Sequence, residues 1–401
     1  MSALRLNPLA LALVLGMTTA PAMAGDASPP APGKWTLNFR ARWEQVDDAK
    51  FAPVADAYTA RTRIGYLTPV RNGFGGAIEI LNTTHLFGDW FNSTTNGRVT
   101  YPTVADPDNT DLHIAVLNYA PSDRTRATLG RQRLNYDNQR FIGAVGWRQN
   151  EQTFDALDLQ HRFGSGLTVR YSYMNRVQRV FAGYDQQDDV ARWMLNANLL
   201  NLSYPIGPGT LVGYAYFLEN ETLPLTSHRN LGLRYTAKKD SPDGVGWLAT
   251  VEAAQQDSYA DGSSSIDADY LLVEGGVVWH GNTFKGGWEK LGGNGSYAFQ
   301  TPFATLHAFN GWADRFLTTP VNGLEDSYLG WSRKFGKLTA NVIWHDYQAD
   351  HGSVHYGSEW NASVAYALSK RWTGMLKLAD FQKGDVGWDV RKNWVSVEYS
   401  Y

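Results

Sequence analysis

The 401-residue chain contains no cysteine. That absence excludes disulfides, thiolate metal sites, a cysteine nucleophile and a lipid-modified N-terminal cysteine. Long apolar runs are missing as well: beyond the first two dozen residues, none approaches the roughly 20 residues that a membrane-spanning helix requires. Charge of one sign is also lacking. With 36 Lys and Arg against 39 Asp and Glu, a formal net charge of −3, the chain as a whole shows no bias towards a polyanionic partner, and no nucleic acid is expected to bind. No G-x-S-x-G or comparable serine motif is present, so no nucleophile–base–orienter set is legible. His345, Asp346 and His351 fall at a strand end and its loop, where a surface histidine is the ordinary reading. Gly292-Gly293-Asn294-Gly295 lacks the strand-to-helix setting of a phosphate cradle. Nothing here points to an enzyme.

What is present begins with Arg5, an apolar run from Leu9 to Leu15, and Ala22-Met23-Ala24. That order of charge, apolar stretch and small-residue site predicts a signal peptide over residues 1–24, leaving 25–401 as the mature chain. The first mature segment alternates Trp35, Leu37, Phe39, Ala41 and Trp43 with Thr36, Asn38, Arg40, Arg42 and Glu44. Period-2 alternation puts one face in an apolar medium and the other in water. It recurs in Ala60, Ile64 and Tyr66 against Arg61 and Arg63, in Leu167, Val169 and Tyr171 against Thr168 and Arg170, and in Leu231, Leu233 and Tyr235 against Asn230 and Arg234. A soluble sandwich or propeller would alternate too. Aromatic position separates the readings: Trp35, Trp43 and Trp247 sit at the ends of the apolar parity, where a membrane strand meets the headgroups.

The expected fold is an all-β transmembrane antiparallel barrel of the bacterial outer membrane. Candidate strands lie near 35–46, 57–67, 74–82, 111–120, 125–133, 152–163, 166–177, 192–204, 209–220, 228–237, 246–257, 268–280, 282–291, 324–335, 337–348, 357–369, 371–383 and 389–401, about eighteen in all, with sixteen the alternative. Short connections such as Pro69-Val70-Arg71-Asn72-Gly73 and Phe335-Gly336-Lys337 carry turn residues. They alternate in chain order with long stretches at 83–110, 134–151, 178–191 and 292–323, as periplasmic turns alternate with outer loops. The final segment places Val395, Val397, Tyr399 and Tyr401 on the lipid-facing parity. Glu398 then points into the lumen, towards Arg40 or Arg42 across the closing seam. Such a C-terminal strand implies recognition by the barrel-assembly machinery, and a barrel of this kind implies outer-membrane lipids and lipopolysaccharide as neighbours.

Arginine is unevenly spread. Between Arg124 and Arg179 lie ten Arg and no Lys against four acids. Arg40, Arg42, Arg61, Arg63, Arg148, Arg162, Arg170 and Arg234 fall on polar parities, and inward cations in an aqueous pore favour anions. Guanidinium suits carboxylates through its planar fork. Structural Arg–carboxylate ladders are the competing explanation for any one of them. Arg131 and Arg133 share parity with Ala127 and Leu129, so either the strand ends first or a bulge re-aims them. Asp106, Asp108, Asn109 and Asp111 could offer Ca²⁺ hard oxygens, but a solvated acidic loop is the stronger reading and no other cofactor is indicated.

The run Leu129-Gly130-Arg131-Gln132-Arg133-Leu134-Asn135-Tyr136-Asp137, with Arg140, Trp147-Arg148-Gln149-Asn150 and Phe154-Asp155-Ala156, resembles the alginate export family of outer-membrane porins. So does the stretch from Thr301 to Leu317, Thr-Pro-Phe-Ala-Thr-Leu-His-Ala-Phe-Asn-Gly-Trp-Ala-Asp-Arg-Phe-Leu. The resemblance implies an eighteen-stranded barrel with an Arg-rich, anion-selective constriction. It assigns Arg131, Arg133, Arg148 and Asp155 to the pore's charged block, and Asp314 and Arg315 to a second. The expected function is passive passage of anionic solutes, acidic saccharides or alginate-like polyuronates. A general porin for small anions or nutrients is the alternative, and an outer-membrane enzyme or adhesion protein ranks below both.

Overall fold

The computed structural model describes residues 33–181, 188–241 and 244–401, and the expected signal peptide, residues 1–24, lies outside them. Eighteen strands follow one another: β1 (Lys34–Asp48), β2 (Ala55–Leu67), β3 (Phe74–Trp90), β4 (Asn109–Ser122), β5 (Thr125–Gln132), β6 (Thr153–Arg162), β7 (Thr168–Gln178), β8 (Arg192–Ile206) and β9 (Gly209–Asn220) form the first half. The second half is β10 (His228–Lys239), β11 (Val245–Ser258), β12 (Asp267–Trp279), β13 (Asn282–Leu291), β14 (Leu324–Phe335), β15 (Leu338–Gln348), β16 (His355–Ala367), β17 (Trp372–Lys383) and β18 (Val390–Ser400). Each strand pairs antiparallel with its neighbours in the chain, and β18 pairs back onto β1, which closes the barrel. Closure leaves no open edge, the condition for a sheet to cross a bilayer.

Alternation becomes sidedness. Along β1, Arg40, Arg42 and Glu44 are buried inward while Trp35 and Leu37 are exposed outward. Trp35, Phe74, Tyr119, Phe163, Trp247, Trp279, Phe335 and Trp372 all stand exposed at the end of the barrel that carries the short turns and the last strand's terminus. This is the aromatic girdle of a periplasmic rim. Its turns use positive φ where they reverse most tightly, as at Asn72 (51°) and Gly73 (81°). Inward-facing Gly232 and Gly287 each lie under a tyrosine ring; a Cβ would stand 2.4 Å from Tyr214 and Tyr328 respectively.

Two details depart from expectation. β3 continues to Trp90 rather than ending near residue 82, because it keeps pairing with β2 past the point where β4 begins. At the seam, Arg40 does oppose Glu398 in register, yet the Glu398 carboxylate is held by Asn38 (2.7 Å) and Arg61 (3.2 Å). Arg40 is drawn elsewhere by what fills the lumen.

Candidate functional site: a lumen filled by two loops

Loop A (133–152), between β5 and β6, and loop B (292–323), between β13 and β14, turn inward and join. Ile142 and Phe303 form a parallel bridge, the Gly143 amide donates to the Phe303 carbonyl (2.8 Å), and the Thr305 amide donates to the Gln139 carbonyl (3.0 Å). Phe141 packs on Tyr214 and Tyr270 of the wall and on Phe299 of loop B, with centroids 5.3, 5.5 and 5.8 Å away. Arg140 is buried and gives both Nε and Nη2 to Glu289 (2.8 and 3.4 Å) and Nη2 to Asn310 (2.9 Å). Val145 holds φ 53°, a conformation that a β-branched residue keeps only when its surroundings over-determine it.

Asp314 of loop B is the hub. Its carboxylate accepts from Arg148 of loop A (3.1 Å), Lys392 of β18 (2.7 Å) and His307 Nδ1 (2.7 Å). Lys377 of β17 donates to His307 Nε2 (2.7 Å) and lies over the rings of Trp312 (3.8 Å) and Trp147 (4.0 Å). Because an ammonium can only donate, Nε2 must accept, and the His307 proton sits on Nδ1, facing Asp314. Burial holds His307 well below the ordinary histidine range, in its neutral form. Burial alone would push the Asp314 carboxyl up, but His307, Lys392 and Arg148 pull it well below the usual carboxylate range.

The wall arginines expected to face solute mostly face these loops. Arg40 donates to Gln149 Oε1 (2.9 Å) and to the carbonyls of Trp147 (2.9 Å) and Arg148 (2.7 Å). Arg42 donates to the Trp147 carbonyl and stacks on its ring at 4.2 Å. Arg61 binds Asn38 (2.7 Å), and Arg63 pairs with Glu151 of loop A (2.8 Å). Arg133 is re-aimed inward, to Glu79 (2.6 Å) and Glu151. Arg148 also reaches Glu44 (3.3 Å). Arg315 turns away from Asp314 and lies over Trp388 (4.7 Å) and Phe381.

Arg131 and Asp155 are outside, contrary to expectation. Gly130 holds φ +122° without breaking the register, so Arg131 keeps the outward parity of Leu129, which is 57% exposed. It pairs with Asp155 directly opposite on β6 (2.8 Å). The loop acids considered for Ca²⁺ are divided: Asp106 is buried beside Arg42 (3.6 Å) and accepts the Gln149 amide (2.7 Å), Asp108 accepts the His85 amide (2.6 Å), and Asp111 pairs with Arg131 (3.4 Å). Among the described residues, no three such side chains converge as a metal site.

The cations that do face open lumen lie on β5 to β13, nearer the periplasmic end. Arg162 is 58% exposed, Arg126 46% and Lys285 38%. Arg170 and Arg234 stand deeper, against the loop tips. Arg126 and Arg170 share Asp158 (3.9 and 2.8 Å), Arg234 pairs with Glu252, and Lys285 pairs with Glu274 (2.7 Å). Asp158 and Glu252 are only 2% and 1% exposed. In these pairs the acid lies behind the cation; Arg162 differs, its partner Asp123 (4.0 Å) being 68% exposed. Arg126 and Lys285 were not anticipated, although parity with Thr128 and Thr283, both buried inward, would have found them.

Residues 34–193 match the family model described as Alginate export. No curated protein sequence matches the chain. Among solved structures, OccAB2 of Acinetobacter baumannii is similar at TM-score 0.72 and 12% identity, covering 92% of this chain and 98% of that one. OccK9 (OpdG) of Pseudomonas aeruginosa has TM-score 0.72 and 15% identity over 92% and 98%. OpdK of the same organism, solved with vanillate, has TM-score 0.69 and 14% identity over 92% and 98%. At such identities these likenesses speak for the fold.

Proposed function

Starting from a porin-type barrel of the bacterial outer membrane that resembles the alginate export family over residues 34–193, we propose that the chain is a passive, anion-selective channel for carboxylate-bearing solutes. The observation that carries this reading is the layering of its lumen pairs. Asp158 and Glu274 lie against the wall, 2% and 16% exposed, while their partners Arg126 and Lys285 meet the water at 46% and 38%. A pair oriented this way is satisfied structurally, yet it presents a positive face to a passing solute. Several such sites of modest strength conduct better than one tight site.

The resemblance favours acidic saccharides and polyuronates, and OpdK's bound vanillate favours small carboxylates. Loops A and B fill the half of the lumen away from the short turns. A continuous polyuronate strand would need both loops displaced, whereas a short acidic saccharide or small organic acid would need less room. Short carboxylate-bearing solutes are therefore the reading the geometry supports best. Lipopolysaccharide and membrane lipids outside, and the barrel-assembly machinery during insertion, complete the proposed set of partners.

Reversal potentials in planar bilayers under a salt gradient test it. The expected result is anion selectivity that falls when Arg126 and Arg162 are replaced together by Ala. Cation selectivity of the intact protein overturns the proposal. Block of the current by uronate oligomers longer than a few units, without block by small carboxylates, would move the substrate reading to the polymer.

A further inference from the structure

Loop A ends on the wall with a single acid. Asp137, at φ 50°, is exposed on the loop tip, between buried Tyr136 and half-buried Asn138. Its Oδ2 accepts from Asn201 Nδ2 of β8 (2.9 Å), which also donates to the Tyr216 hydroxyl of β9 (3.2 Å). Burial pushes its carboxyl up, and two flanking cations, Arg234 of β10 and Arg170 of β7, pull against that rise. Arg170 is directly opposite Asn201 in register, bonds the Asn135 carbonyl (2.8 Å) and stacks on the Tyr136 ring at 3.9 Å. Arg234 lies two residues along β10 from Gly232, whose lack of a side chain leaves room beside Tyr214. One patch of lumen thus presents cation, carboxylate and cation where loop A meets the wall.

We propose that this patch is a substrate subsite and that Asp137 sets its specificity, favouring hydroxylated carboxylates over bare anions. The inference rests on the anion-channel reading above. A carboxylate has about four lone-pair positions, and Asn201 occupies one of them. A chloride or an alkyl carboxylate drawn to Arg170 or Arg234 meets the repulsion of Asp137 with nothing to offset it. A sugar acid brings a hydroxyl that donates to Asp137 while its carboxylate takes a guanidinium. The same acid that rejects one anion therefore holds the other. A site built to bond a hydroxyl discriminates strongly against analogues lacking it, because its own polar group is left unpaired.

The test compares galacturonate with cyclohexanecarboxylate, anions of like charge and similar ring size, each against chloride in bilayers holding the full-length protein. The intact channel is expected to favour galacturonate several-fold. Asp137→Asn, which keeps the size of the side chain but removes the charge, is expected to raise chloride and cyclohexanecarboxylate permeability and bring the ratio close to one. Asp137→Glu should restore part of the preference. Unchanged discrimination in Asp137→Asn, with anion selectivity intact, overturns the subsite alone. Cation selectivity of the unmodified protein overturns the channel reading and the subsite with it.

Discussion

Arg148 and Asp314, one on each inner loop, meet at 3.1 Å in the middle of the barrel, and Lys392 binds the same carboxylate from β18 at 2.7 Å. One acid thereby joins both loops to the seam side of the wall. Asp314→Asn keeps the shape but leaves Lys392 without its counter-charge and Arg148 with only Glu44 and Asp106. Breaking a buried pair this way costs about 3–5 kcal/mol. Single-channel conductance should rise, and trypsin should cut loop A or loop B in the folded barrel. Unchanged conductance together with protease resistance would show that the loops do not depend on the hub.

Buried and accessible arginines should separate in two assays. Arg40→Ala leaves Gln149 Oε1 without its donor, at about 1–3 kcal/mol for the buried group left unpaired, and takes one of two donors from each of the Trp147 and Arg148 carbonyls, which keep Arg42 and Arg61. It should lower the heat-modification temperature on gels while leaving the ion selectivity of open channels intact. Arg162→Ala should do the reverse, since an exposed substitution changes stability by about 0.5 kcal/mol or less.

Acid should loosen the loops in two stages. His307 is neutral in the folded lumen but takes a proton once released, so the stability it contributes declines as pH falls below about 6.5. Burial pushes the Glu151 carboxyl up, but Arg133 and Arg63 draw it well below its ordinary range, as Asp314 is drawn by its own partners. Their contribution is complete above about pH 4 and is lost below it. Conductance recorded from pH 8 to pH 3 should show both steps, and His307→Gln should remove only the upper one.

Gly130 admits no side chain. A Cβ there would stand 2.1 Å from the Ala115 carbonyl oxygen, at φ +122°. Gly130→Ala should cost at least about 1–3 kcal/mol and lower the yield of folded, heat-modifiable barrel. Normal folding yield would mean that the strand can relax there.

The wall was legible because the bilayer imposes a local rule, one face apolar and one wet, that each strand repeats by itself. The strands follow it except where the register shifts, as at Asp155/Ala156 and Met174/Arg176, and Arg162, Arg170 and Arg234 lie on the inward parity that it assigns. Arg131 shows the rule outweighing a resemblance: its parity with Leu129 already placed it outside, where it is found. What could not be read was the filling. The partners of Arg40, Arg42, Arg63 and Arg148 are mainly loop atoms or a distant strand, chosen by three-dimensional meeting rather than by any period in the chain. Loop A carries no signal of inward folding beyond its apolar Leu134, Phe141 and Ile142, which a surface loop could hide against its neighbours.

Neighbouring strands pair as successive hairpins, but Arg140 finds Glu289 across 149 positions of sequence and Arg148 finds Asp314 across 166. Contacts separated so widely carry a larger loop-closure entropy and form late. The seam that shuts the ring spans more chain still, since Asn38 reaches Glu398 across 360 positions. By the same entropy the seam is the last of these contacts to form, so the two loops meet while the wall is still open, and the barrel does not pass through a state that is closed but unplugged.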